Sequence, residues 1–129
     1  MRLLLDTHAL LWWLGGDARL GTRARALIAD EANAVFVSAA SAWEIATRAR
    51  VGELPDAVRL AQEFREHLDQ QGFSALEITL EHGQRAGLLP GPTRDPFDRI
   101  LVAQSQAENL ILVSNKAVFD LYGVVRLWD

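Results

Sequence analysis

The chain opens with Arg2-Leu3-Leu4-Leu5-Asp6-Thr7-His8-Ala9-Leu10-Leu11-Trp12-Trp13, and this stretch decides how the rest is read. Leu3, Leu4 and Leu5 form an apolar run with no polar face, the pattern of a strand buried on both sides of a sheet. Asp6 follows at once. Ala9, Leu10, Trp12, Trp13 and Leu14 then suit a short helix that stops at Gly15-Gly16. In open α/β sheets, ligands bind just beyond the carboxyl ends of the strands. Asp6 is therefore placed where chemistry is done, although an aspartate between a strand and a helix also reads as a cap.

Outward from this stretch, strand and helix patterns alternate. Thr22 is a candidate N-cap for a helix carrying Ala24, Leu27 and Ile28. Ala34-Val35-Phe36-Val37 is a second apolar strand ending in Ser38, followed by a helix through Trp43, Ile45 and Ala46 towards Arg50. Asp56 can cap a long amphipathic helix with Leu60, Phe64 and Leu68 on one face, stopping at Gly72. Phe73 to Ile78 reads as a weak strand, and Thr79 as the cap of a helix to Ala86. Pro90-Gly91-Pro92 marks a loop before Asp95-Pro96-Phe97-Asp98, which opens a helix to about Glu108. Leu110–Val113 is a further strand, Phe119 lies in a short helical turn, and Val124–Trp128 closes as an edge strand. Such alternation predicts βαβ units on a parallel sheet with right-handed crossovers.

Bulk properties narrow the function. At 129 residues, half of them hydrophobic, the chain is expected to fold as a single domain over 1–129. No cysteine is present, which excludes disulfides, thiolate metal sites and a thiol nucleophile. No apolar run approaches the roughly 20 residues of a membrane helix or the core of a signal peptide, so a cytoplasmic location without membrane contact is expected. Seventeen acids against 13 bases leave a net charge of −4. That argues against a passive nucleic-acid binder, which is usually basic. It leaves room for a nuclease in which a cation offsets the acids.

Polar residues follow three strands: Asp6, Ser38, and Ser114-Asn115. Glu44 lies about two turns beyond Ser38, and Asp95 and Asp98 lie in the first turn of a later helix. Three or four carboxylates without histidine or thiol partners suit Mg²⁺ or Mn²⁺, held by few protein oxygens and several waters. Each acid also has a plainer reading. Ser41 and Glu44 have capping-box spacing, and Asp95 before Pro96 is a strong helix start.

Taken together, Asp6-Thr7-His8-Ala9-Leu10-Leu11-Trp12, Ser41-Ala42-Trp43-Glu44-Ile45, Asp95-Pro96-Phe97-Asp98-Arg99 with Val102-Ala103-Gln104, and Ser114-Asn115 followed by Phe119-Asp120 and Tyr122-Gly123-Val124 resemble PIN-domain proteins of the VapC toxin type. The resemblance implies a three-layer α/β/α sandwich with a central, mainly parallel sheet. It implies a Mg²⁺- or Mn²⁺-dependent endoribonuclease, a homodimer, and a cognate antitoxin as partner in a type II toxin–antitoxin pair. By position, Asp6, Glu44 and Asp98 match the family's catalytic and metal-binding acids, and Asp95 is a secondary ligand or cap. Ser114, with Asn115, matches the hydroxyl segment that orients them. One position departs: Lys116 stands where the family usually carries an acid, and an ammonium there competes with a metal for the carboxylates.

These readings combine into a hydrolysis in which Asp6, Glu44 and Asp98 hold one Mg²⁺, largely through waters, that activates a water and stabilises charge on the phosphodiester. Arg94, Arg99 and Lys116 are candidate phosphate contacts, with ordinary surface charge as the plainer reading of the arginines. Asp120 could stand in for the missing acid or be a solvated surface acid. Trp12, Trp13, Trp43 and Trp128 suit core or dimer packing better than base stacking. His8, His67 and His82 show no metal-ligand spacing. A rival function is a catalytically weakened PIN-fold binding module, marked by Lys116. A phosphotransfer domain fits poorly, because Asp6 lacks a second acid beside it and no P-loop occurs.

Overall fold

Leu3, Leu4 and Leu5 are each fully buried, because the strand they form has neighbours on both edges and layers on both faces. The computed structural model describes residues 1–129. Its strands are β1 (Arg2–Leu5), β2 (Ala34–Ser38), β3 (Ser74–Leu76), β4 (Ile111–Val113) and β5 (Arg126–Leu127). They form one sheet in the order β3-β2-β1-β4-β5. Every pairing is parallel, the short β5 at the edge included. The helices are α1 (Thr7–Leu14), α2 (Thr22–Ala29), α3 (Ala39–Arg50), α4 (Val58–Gln62), α5 (Phe64–Gln71), α6 (Leu80–Leu88) and α7 (Pro96–Glu108).

Alternation along β1 divides the core in two. Leu3 and Leu5 join Val35, Val37 and Val113 with Leu10 of α1, Ile28 of α2, Ile45 of α3 and Leu68 of α5. Leu4 joins Leu112, Leu101 and Val102 of α7, and Phe119 on the opposite face. The result is the expected α/β/α sandwich. Its register aligns Leu5 with Val37 and with Val113. Asp6, Ser38 and Ser114 consequently emerge at the same sheet edge, and the Asp6 N–H still donates to the Val113 carbonyl at 3.1 Å.

Four local expectations change. Thr22 does not cap α2; Gly21 occupies the cap position, and Asp129 Oδ1 accepts the Thr22 N–H at 2.8 Å instead. Ser41 and Glu44 form no capping box, because α3 starts at Ala39 with Ser38 as its cap. Asp56 makes no capping bond, and lies in a 3-10 turn over Pro55–Ala57. The long helix expected there is two, separated at Glu63, whose backbone leaves the helical region at φ −118° and ψ 40°. By contrast Thr79 caps α6 as read, in a capping box completed by His82.

Leu4 is the test of this two-faced core. Truncation to Leu4→Ala is expected to lower the unfolding free energy by about 2–5 kcal/mol, the usual range for a buried leucine. Urea denaturation of the purified protein measures it, and a loss below about 1 kcal/mol would contradict the central placement of β1.

Candidate active site

Asp6 ends the central strand and starts α1, and these two roles divide its carboxylate. Oδ1 accepts the Ala9 N–H at 2.8 Å as the helix cap. Oδ2 is buried and makes no well-formed hydrogen bond, with the Ser114 hydroxyl close enough to favour its charged form. The residue is only 2% exposed. Burial pushes its pKa up, against the opposing pull of the Ser114 hydroxyl, the Ala9 amide, Lys116 and His8. An unpartnered oxygen on a buried carboxylate is costly, and in native proteins such a group usually has a role.

Asp98 reaches the same edge from the first turn of α7. Pro96 occupies the first helical turn, and Asp95 Oδ1 caps the helix by accepting from Phe97 N at 2.8 Å and Asp98 N at 3.2 Å. Both Asp98 oxygens lie 3.1 Å from the Lys116 ammonium. Burial still prevails over that ion pair. The Asp98 carboxyl is pushed up to about 6, with Asp95 and Asp6 adding repulsion. Lys116 moves the other way from what its own burial favours. Asp98, Asp6 and Asp95 outweigh that burial and hold its pKa above the ordinary lysine value.

Ser114 sets the base of this arrangement. It is fully buried after β4, and its Oγ accepts the Lys116 N–H at 3.0 Å. Asn115 beside it is exposed. Glu44, expected to join Asp6 and Asp98, is directed elsewhere. The Thr7 hydroxyl donates to its Oε1 at 2.7 Å, and Arg48, one turn along α3, lies 3.7 Å from Oε2. No three acidic or histidine side chains converge closely enough to surround an ion. The structure thus brings together Asp6, Asp98, Ser114 and Lys116, with Asp95 alongside as a cap, and leaves Glu44 one residue removed, on Thr7.

The model of the PIN domain family matches residues 3–124 of this chain. The chain belongs to the PIN domain family. Ribonuclease VapC16 of Mycobacterium tuberculosis (strain ATCC 25618 / H37Rv) is 38% identical over 58 residues, which is 45% of this PIN domain protein and 41% of that relative. The chain therefore matches less than half the length of this relative. Among solved structures, the VapBC2 complex of Rickettsia felis bound to a DNA fragment from its promoter aligns over 100% of both chains, at 16% identity and a TM-score of 0.69. VapBC-1 of nontypeable Haemophilus influenzae aligns over 98% and 97%, at 11% identity and a TM-score of 0.66. A toxin–antitoxin complex from Klebsiella pneumoniae aligns over 91% and 89%, at 23% identity and a TM-score of 0.56. At these identities the likeness is one of fold.

Other expected site residues of this PIN domain have structural work. Arg99 cannot serve as a phosphate contact in this arrangement. Its guanidinium donates to the carbonyls of Ala86, Thr93 and Leu89, tying α6 and the loop before α7 to the helix that carries Asp98. Arg94 is exposed. Asp120 is an exposed surface acid, held in a two-point pair with Arg126 at 2.8 and 2.9 Å rather than standing in for the missing acid. That pair keeps the Asp120 pKa low, while Arg126 also donates to the Ser114 carbonyl at 3.1 Å.

Three features escaped the sequence reading. The hold of Arg48 on Glu44 was available from their i, i+4 spacing. That of Thr7 was not, since it joins two elements 37 residues apart. Trp43 is also not a core residue: it is 58% exposed, with its ring edge-on to Phe97 at 4.7 Å. These rings belong to the residues before Glu44 and Asp98.

The donor chemistry fits a hard divalent ion, on the evidence of the unpartnered Asp6 oxygen and the neighbouring Asp98 carboxylate. Without a metal, the raised Asp98 pKa has a measurable consequence. Its folded value of about 6 exceeds the ordinary 3.8, so the folded state binds more protons between these values. The contribution of Asp98 to stability is therefore lowest above pH 6 and rises as the pH falls towards about 4. Asp98→Asn is expected to flatten that rise in urea titrations run in EDTA. An unchanged pH slope in this variant would contradict the assignment.

Proposed function

We propose that this PIN domain is a divalent-metal-dependent endoribonuclease of the VapC type, the toxin of a type II toxin–antitoxin pair. The observation that carries the reading is Asp6: a buried carboxylate with one oxygen unpartnered, beside Asp98, at the carboxyl edge of a parallel sheet. The relation to Ribonuclease VapC16 and the fold shared with the VapBC complexes support it. The same relations support an antitoxin partner, while RNA as substrate and a homodimer rest on the family expectation. No helix is long and apolar enough to cross a membrane.

Asp6 and Asp98 would hold Mg²⁺ or Mn²⁺. When bound, such an ion activates water and neutralises charge developing on the phosphodiester. The chain's own residues do the positioning. The Ala9 amide fixes Asp6 through one oxygen and leaves the other available. Asp95 orders the first turn of α7 and so places Asp98. Glu44, held by Thr7 and Arg48, would act on an ion through waters rather than as a direct ligand. Ser114 orients the Lys116 backbone, which delivers an ammonium for the RNA phosphate once it leaves Asp98.

A second reading, a PIN fold kept as a binding module, draws on the ion pair that occupies Asp98. Asp6→Asn separates the two. With purified protein free of antitoxin, a structured RNA and Mg²⁺, the wild type is expected to cleave and Asp6→Asn to lose at least about a hundredfold in rate. Equal cleavage by both proteins would overturn the nuclease assignment to this pocket. Cleavage by the wild type no faster than the protein-free background would favour the binding module.

A further inference from the structure

We propose that Lys116 is a built-in counter-ion of the acidic pocket, and that a divalent metal binds only by displacing its ammonium from Asp98. The proposal rests on the metal reading of the pocket and adds what controls its occupancy. Three observations lead to it. The ammonium lies 3.1 Å from each Asp98 oxygen and so covers both donors that Asp98 would offer a metal. A Mg²⁺ ion approaches carboxylate oxygens to about 2.0–2.1 Å, and cannot share them with an ammonium at that range. Lys116 is also tethered: Ser114, fully buried at the end of β4, holds its backbone N–H, so the ammonium competes intramolecularly rather than from solution.

The remaining acids do not relieve this competition. Glu44 is engaged by Thr7 and paired with Arg48. Asp95 spends one oxygen on two amides of its own helix. The exit is open, however. The Lys116 side chain is 32% exposed, so the ammonium can swing to water when an ion arrives. The pocket is thus charge-compensated without metal, and every bound ion must release a cation first. Metal affinity should then be lower than two buried aspartates would otherwise support. Anything that draws the ammonium away, such as an RNA phosphate, should raise it by linkage.

The test is Mn²⁺ binding to the purified protein without RNA, followed by the loss of the free-ion electron paramagnetic resonance signal. Lys116→Met and Lys116→Gln remove the charge and keep a side chain of similar reach. Far-UV circular dichroism in EDTA establishes that each is folded. Both are expected to bind Mn²⁺ about tenfold or more tightly than the wild type, while Lys116→Arg stays within about threefold of it. Asp98→Asn in the Lys116→Met background is expected to remove the gain. Equal affinity in the wild type and both neutral variants would overturn the counter-ion role while leaving the metal site standing. Weaker binding in the neutral variants would overturn it as well, by making Lys116 a support for the metal. No Mn²⁺ binding by any folded form at millimolar concentration would overturn the metal reading itself, and the proposal with it.

Discussion

The burial of the Asp6 carboxylate at the end of the central strand is the constraint around which this molecule is built. Desolvation alone would drive the acid to its neutral form. The fold partly offsets this with the Ala9 amide of α1, the Ser114 hydroxyl and the Lys116 ammonium. The amide is local to α1, whereas Ser114 and Lys116 arrive because β4 pairs directly with β1. The leucines that precede Asp6 carry the burial of both sheet faces, at roughly 1.5–3 kcal/mol for each fully buried side chain. The apolar strand and the buried acid are therefore one device: the first anchors the position that the second makes reactive.

Charge balance in the pocket is the second theme. Two aspartates and one lysine occupy it, with Asp95 capping α7 alongside, in a protein that carries four net negative charges. Neither RNA nor further anions would approach such a pocket without compensation. The chain supplies one cation covalently, on a flexible stem, and a divalent ion would supply more charge on less volume. The two share Asp98, and that shared ligand couples substrate charge, metal charge and the lysine.

Behind the pocket, a set of hydrogen bonds to backbone groups keeps α7 in place. Arg99 spends its guanidinium on three carbonyls, two of them in the loop 89–95. Tyr122 packs over the same loop, its hydroxyl accepting the Thr93 N–H at 3.1 Å. At Gly91, φ is +108° and an added Cβ would stand 2.7 Å from the Tyr122 hydroxyl, so conformation and space both call for glycine there. Asp98 is thus held by a loop that is clamped rather than free. That rigidity suits a residue whose carboxylate must meet a partner from another strand.

Local patterns settled most of the architecture. Leu3–Leu5 as an unbroken apolar run, Gly15-Gly16 as a stop, Thr79 and Asp95-Pro96 as helix starts: each is short-range chemistry and each appears where the sequence placed it. The break at Glu63 was not readable, since neither proline nor glycine marks it. Nor was the cap that Asp129 lends to Thr22 from 107 residues away.

The candidate site divides along the same line. Asp6 at a strand end, and Asp95 and Asp98 in the first turn of a later helix, were legible in the sequence, which expected Glu44 to join Asp6 and Asp98. Which of them meet, and through which atoms, was decided by tertiary packing. Glu44 was drawn off by a threonine on another helix and an arginine on its own. Arg99 turned inward to carbonyls, Trp43 outward to solvent. Lys116 could be seen in the sequence as a departure, but only the folded chain places its ammonium 3.1 Å from both oxygens of Asp98. The physical reason is range: caps and strand runs are chosen by neighbours a few residues away, whereas the partner of a buried charge is chosen by whatever the fold brings within a few ångströms.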